Sequence, residues 1–307
     1  MNTEKNIYTK TVVVWAGALI CCLLWGSAFP FIKIGYRLFE IGANDSATQI
    51  LFAGIRFLLA GVLAILLGTV IEKKLLFPRK NSYTKILKLS MLQTVAQYVF
   101  FYIGLAHTTG VRASIVEGTN VFVAIVVASL LFKLEKITPK KLVGSVIGFL
   151  GVLLVNLSGN SSGGGNYLLG DLLVFLSTFA YAFSSVLLKE YSKEEDPVVL
   201  SGYQFMMGGA IMIFAGLIMG GRLDALTFSG LMVLVYLALV SSVAYSLWGI
   251  LMKYNPVSKV AVFGFMNPVF GVILSFFLLE EGSSLGVIHI LSLGLVCGGI
   301  YIVNAQI

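Results

Sequence analysis

The stretch LAHTTGVRASIVEGTNVFVAIVVASLLFKLE, residues 105–135, holds a tension that decides the fold. Its part 111–132 is long and apolar enough to cross a bilayer, since about 20 such residues span the hydrocarbon core. Yet Glu117, and one helical turn later Asn120, lie inside that run. A carboxylate near the bilayer centre costs roughly 2.5 kcal/mol or more on insertion scales, so it needs a partner or a use. On a helix the i, i+3 spacing sets Glu117 and Asn120 on one face, with Ala113, Ala124 and Ala128 on the same side. Such a face turns toward a helical bundle or a wet cavity rather than toward lipid. The stretch reads as one wall of a solute pathway.

The remaining chain has the same character. Of 307 residues, 58% are hydrophobic and 11% charged, against about 25% charged in an ordinary soluble domain. Mean hydropathy is +0.95. This is the composition of an integral membrane protein with no soluble domain of useful size. Ten apolar segments are expected as spans: 12–34, 47–71, 86–106, 111–132 and 141–157, then 167–188, 199–221, 228–252, 260–279 and 285–303. The first is too long for the apolar core of a signal peptide and is read as a retained helix. Connections are short and polar except SGNSSGGGN, residues 158–166, whose Gly/Ser composition reads as a flexible linker between 1–157 and 167–307. The three cysteines, Cys21, Cys22 and Cys297, all fall in apolar spans and suggest small core residues rather than a disulfide framework.

Lys and Arg set the orientation. With the N-terminus inside, 16 of the 21 fall on the cytoplasmic side and four outside, with Arg56 within a span. That bias places both termini in the cytoplasm. It also accounts for the net charge of +7, as a topology signal and an attraction for anionic lipid rather than a nucleic-acid patch.

The two halves repeat. Trp25–Lys33 aligns with Tyr181–Lys189, Arg56–Gly61 (RFLLAG) with Gln204–Gly209 (QFMMGG), and Gly151–Asn156 with Gly299–Asn304; Leu134-Glu135 aligns with Leu279-Glu280. Five spans per half is an odd number, so the second copy enters the membrane upside down. Inverted repeats are an architecture of alternating-access transporters, which bind solute near midplane between the repeats.

These features build a resemblance. The chain resembles the drug/metabolite transporter superfamily, in particular its ten-helix exporters made of two EamA-type halves. The matching residues are Trp25-Gly26-Ser27-x-Phe29-x-x-x-Lys33, Arg56-Phe57-Leu58-Leu59-Ala60, Gly104-Leu105-Ala106, Glu135, and Gly144, Gly148 and Gly151. The likeness covers about 12–303. It implies export of amino acids and related metabolites, and a structural role for Arg56, whose position recurs there whatever the solute. Such proteins often carry a proline in the fourth and ninth spans. Here only Pro268 stands, with Asn120–Phe122 where the other would lie, so a break in the fourth helix is left open.

Depth sorts the candidate residues. At 1.5 Å per residue, Glu117 lies roughly 10 Å and Arg56 roughly 13 Å below the outer ends of their spans, which predicts a coupled pair. Either can also touch solute. Trp25, Gln97 and Tyr98 share that depth. Helical spacing puts Tyr98 with Tyr102, Ser241 with Tyr245 and Trp248, and Ser177 with Tyr181 and Ser184 on common faces. Tyr98, Tyr181, Tyr245 and Ser241 are expected to line a cavity with Glu117, Asn120, Trp25 and Asn267. Tyr102 and Trp248, near span ends, are assigned to gating or interface anchoring. Pro30 and Pro268 are expected to interrupt their helices and free backbone carbonyls. Gln204, the repeat mate of Arg56, is assigned a structural role.

His107 and His289 lack metal-ligand spacing, and no nucleotide-binding, hydrolase or redox motif occurs. The sequence thus points to no catalytic residue, no metal and no cofactor. The expected partners are a small solute and membrane lipid, with a proton as candidate coupling ion; monomer and homodimer both remain open. The reading is a multi-pass secondary transporter of the cell (plasma or inner) membrane. A proton-coupled exporter of organic cations is the alternative, and a membrane-embedded enzyme or scaffold the rival outside transport.

Overall fold

The computed structural model describes residues 7–132, 138–157, 167–255, 260, 262–279 and 286–304. The linker 158–166, Glu135 and Glu280 lie outside the described residues. Within them every secondary-structure element is helical. The first half holds α1 (Thr11–Leu38), α2 (Ser46–Glu72), α3 (Tyr83–Leu89), α4 (Gln97–Ala106), α5 (Gly110–Glu117), α6 (Asn120–Val126) and α7 (Pro139–Leu157). The second holds α8 (Leu168–Tyr191), α9 (Pro197–Ile218), α10 (Phe228–Tyr254), α11 (Met266–Leu278) and α12 (Val287–Asn304). A π-helical turn, Ser90–Ala96, joins α3 to α4, and another, Val127–Leu131, follows α6.

Short polar residues start these helices by accepting hydrogen bonds from otherwise unpaired first-turn N–H groups. Asp45 accepts from Thr48 N at 3.0 Å, Thr109 from Arg112 N at 3.1 Å and Thr227 from Gly230 N at 3.0 Å. Asp196 caps α9 through Val198 N at 2.7 Å, with Pro197 in the first turn where its missing N–H costs nothing. Among the described residues six units are long and apolar enough to cross a membrane: Thr11–Leu38, Ser46–Glu72, Lys80–Ala106, Leu168–Tyr191, Pro197–Ile218 and Phe228–Tyr254. Their outward faces carry exposed Leu66, Val70, Phe214 and Leu217, a surface made for lipid rather than water.

Packing follows the repeat. α1 lies between α10 and α11, and α8 lies against α4 and α6; α2 packs on α9, α5 on α11 and α7 on α12. Exchanging the halves maps each of these contacts onto another or onto itself. The mates α2 and α9 run antiparallel, because Gly54 meets Gly209 while Gly61 meets Gly202. A Cβ on Gly209 would stand 2.4 Å from Leu58 N, so this crossing accepts only glycine. The mates α7 and α12 are antiparallel too, with Gly151 beside Ser292 and Gly148 beside Gly299.

Two expectations about helix breaks need correction, and a third question, left open by the sequence, has an answer. α1 continues through buried Pro30, so the proline removes one backbone bond without ending the helix. Pro268 does not interrupt α11; it sits in the first turn, behind a 3-10 turn, Val262–Phe265. The fourth span does break, and without a proline, at Gly118-Thr119 between α5 and α6. There Gly118 N reaches back to Ser114 and Ile115 carbonyls, both at 3.2 Å, and Thr119 N to Val116 O at 3.0 Å. A Cβ on Gly118 would stand 2.8 Å from Val296 and 3.3 Å from Pro268, so the break nests against the start of α11.

Candidate solute-binding cavity

The break leaves Glu117 as the last residue of α5 and Asn120 as the first of α6. Both still line the same space, with the Asn120 side chain beside the Glu117 carboxyl. Ser177 on α8 stands 3.4 Å from Glu117 Oε2, although its hydroxyl proton is better directed at Val174 O, 2.7 Å away. The space is a cavity of about 60 Å³ walled by Trp25, Ala28, Phe29, Arg56, Gln97, Tyr98, Phe101, Glu117, Asn120, Tyr181, Tyr245 and Asn267. Residues from both halves contribute. Of the eight residues expected to line a cavity, the structure brings together seven: Glu117, Asn120, Trp25, Tyr98, Tyr181, Tyr245 and Asn267.

Ser241 is the exception. It lies one layer out and accepts from Arg56 Nη2 at 2.9 Å. Arg56 also donates to Tyr102 Oη at 2.6 Å and to the Leu237 carbonyl at 3.1 Å, and its guanidinium lies 5.0 Å from the Phe57 ring centroid. These partners come from α4 and α10, and all are neutral. Among the described residues no ion pair joins Arg56 to Glu117. The expected pairing is therefore replaced by a hydrogen-bonded arginine on one wall and a separate carboxyl on another. Tyr102 is fully buried, which corrects the interface reading; its own carbonyl accepts from Tyr36 Oη at 2.9 Å.

Aromatic side chains bound the rest of the cavity. The Trp25 ring lies 5.3 Å from Tyr245 and 5.1 Å from Trp248, both edge-on. Tyr98 and Tyr245 join α4 to α10 through one hydroxyl–hydroxyl bond of 2.7 Å. Gln204 lies away from the cavity. Its amide donates to Gln93 Oε1 at 3.0 Å and accepts from Thr94 Oγ1 at 2.8 Å, fastening α9 to the π-turn of the third span. Arg56 does the equivalent for α2 and α10, as repeat mates should. Neither histidine lines the cavity: His107 accompanies Ile103 O at 2.8 Å, and His289 Nδ1 accepts from Gly286 N at 3.2 Å.

One buried ion pair escaped the sequence reading. Arg112, near the start of α5, donates to Asp171 Oδ2 through Nη2 at 2.5 Å and Nε at 3.1 Å, while Thr108 donates to Oδ1 at 2.6 Å. The signal was present: Asp171 is the only acidic residue within the expected span 167–188, and Arg112 lies inside 111–132. Ala28, Phe29 and Phe101 were also missed, because apolar wall residues look like any other apolar residues in a span.

Comparison with known proteins agrees with this architecture. The EamA-like transporter family matches twice, over residues 12–157 and 168–305. An uncharacterized transporter of Archaeoglobus fulgidus is 31% identical over 84% of this chain and 86% of its own length. The uncharacterized inner membrane transporter YedA of Escherichia coli K12 is 28% identical over 94% of this chain and 90% of its own. A solved crystal structure shares the fold with a TM-score of 0.67 at 15% identity, over 96% of this chain and 99% of that one. With two family matches, one over each half of an all-helical apolar chain, this protein belongs to the EamA-like transporters of the drug/metabolite transporter superfamily and is a multi-pass cell-membrane protein.

Proposed function

We propose that the protein is a secondary transporter, not an enzyme, that exports small organic metabolites such as amino acids by alternating access. In this reading 1–157 and 167–307 are inverted five-helix repeats joined by 158–166, with ten spans and both termini in the cytoplasm. The antiparallel crossings of α2 with α9 and α7 with α12 support the inversion, and the Lys/Arg bias supports the orientation. Rocking one half against the other would open the cavity to each side in turn. The outward direction and the metabolite class rest on the family.

One observation carries the site assignment: residues of both halves meet around a largely aromatic cavity, with Glu117 on its wall and unpaired with Arg56. A carboxyl so placed suits the ammonium group of a solute, and the neutral-partnered guanidinium of Arg56 suits a carboxylate. Together they fit a zwitterion. The same observation supports a second reading, in which Glu117 carries the coupling proton and the solutes are organic cations.

Flux of a neutral amino acid and of an organic cation into proteoliposomes, over a pH series, separates the two. The expected result is flux of the amino acid in the wild type and at least a tenfold loss in Glu117→Gln. Flux of the cation alone, with its pH dependence abolished by the substitution, would establish the second reading instead.

A further inference from the structure

The fourth and ninth spans are repeat mates, yet they close on each other at one end only. At the end where α4 passes into α5 and α11 finishes, α5 lies along α11. A Cβ on Gly271 would stand 2.5 Å from Ser114 Cβ, one on Gly110 3.0 Å from Ser275 Cβ, and one on Gly118 3.3 Å from Pro268. Three successive turns are thus in contact, through residues small enough for the two backbones to close up. The cavity is roofed toward the same end. Phe29 on α1 and Phe101 on α4, both buried, lie edge-on with ring centroids 5.6 Å apart. Farther out, Tyr36 Oη of α1 donates to the Tyr102 carbonyl of α4 at 2.9 Å.

In a molecule of inverted repeats, a contact at one end has a mate at the other. The mate of this seam would seat α6 on the turn Val262–Phe265, with Phe122 on Gly264 as Pro268 is on Gly118. That contact is not made. The Phe122 ring packs against Gly148 of α7 instead, and Gly264 is half-buried where Gly118 is buried. Among the described residues no comparable packing joins α6 to Val262–Phe265. Trp25 and Trp248, on the cavity side nearer this end, are half-buried as well. One seam shut and its mate parted is what alternating access requires of a single state. We propose that the α5–α11 seam, with Phe29 and Phe101 beneath it, is one gate of the cavity and is shut here, while Phe122 and Gly264 form the other gate and stand open. In the opposite state the seam parts and Phe122 leaves Gly148 for Gly264. This rests on the transporter reading and names the parts that move. In the proposed orientation the shut gate faces outside.

The test reads access to the cavity, without a solute. Ala28→Cys places a thiol on the cavity wall. A membrane-impermeant maleimide is applied to spheroplasts and to inverted vesicles, and peptide mass spectrometry follows residue 28 alone. Ser161→Cys, labelled in parallel, defines the outer face. Residue 28 is expected to react at least tenfold faster from the face opposite to the one on which residue 161 reacts. Gly271→Leu puts a side chain where Ser114 stands, so the seam cannot shut, and labelling from the outer face should rise at least tenfold. Equal rates from both faces, or faster outer labelling without the wedge, overturn the proposal; so does a wedge that changes nothing. Should Gly271→Leu fail to fold, Gly110→Leu obstructs the same seam, and the sidedness without a wedge decides by itself. Counterflow of a neutral amino acid is measured on the unmodified protein. Sided labelling without flux sinks the transport reading and keeps the shut end. Flux without sidedness does the opposite.

Discussion

Arg56 spends its guanidinium on Leu237, Tyr102 and Ser241, whereas the Glu117 carboxyl lies beside Asn120 with Ser177 at 3.4 Å. An arginine and a carboxyl on different walls, with separate neighbours, should act almost independently. In a cycle of Arg56→Gln, Glu117→Gln and the double change, unfolding free energies are expected to add within about 0.5 kcal/mol. Arg56→Leu is expected to cost more than Arg56→Gln, because it strands a carbonyl and two hydroxyls whose loss of partners costs about 1–3 kcal/mol each. Thermal unfolding of the purified protein measures both, and a large non-additive term would restore a direct pair. Much of the cavity was legible at this scale, because a polar residue inside an apolar run is costly enough to need a reason. What depth could not give is azimuth. Arg56 and Glu117 sit at similar depths in the sequence, yet their helices turn them to different partners, and Ser241 shares a helical stripe with Tyr245 but stops one layer short of the cavity.

The third span shows how an element can carry one end of the molecule to the other. Its first part, α3, is tied to the α8–α9 loop. Buried Glu195 accepts from Arg79 N at 2.8 Å, Ser82 Oγ at 2.7 Å and Asp196 N at 3.0 Å, and Lys85 pairs with Glu194. Its cavity part begins with Gln97 and Tyr98, and between them lies the π-turn held by Gln204. Burial pushes the Glu195 carboxyl up, but the N–H and hydroxyl donors outweigh it and hold it below the usual carboxylate range. A depressed value means the contribution is complete above the unfolded pKa of about 4.3 and is lost as pH falls through the folded value. The melting temperature should therefore fall below about pH 4 more steeply in wild type than in Glu195→Gln; parallel curves would remove Glu195 from the account. The break of the fourth span was half legible. The missing proline left the question open, and Gly118 answers it by admitting Pro268 and Val296 where a side chain would bar them.

At the scale of the whole molecule, the repeat was readable because a few residue types recur in order, and the inversion proposed for it follows from the five spans expected in each half. The π-turns were not readable, since no residue type marks them. The proposed orientation has a direct check. A cysteine at Ser161 should react with an impermeant reagent applied outside intact cells, and one at Lys80 should not. The reverse pattern would turn the molecule over. The repeat also hides an inequality, because Arg56 in the first half is matched by neutral Gln204 in the second. Arg56 holds a full charge roughly 15 Å inside the bilayer, ten residues into α2, and no carboxylate accompanies it among the described residues. An elementary charge crossing the membrane field changes energy by about 2.3 kcal/mol per 100 mV, so a shift through a fifth of the thickness is worth about 0.5 kcal/mol. A negative-inside potential draws that charge inward and leaves Gln204 untouched. The resting voltage thus acts on Arg56 and not on its repeat mate, and a transport cycle of the proposed kind would feel the membrane potential through Arg56 even when its cargo carries no net charge.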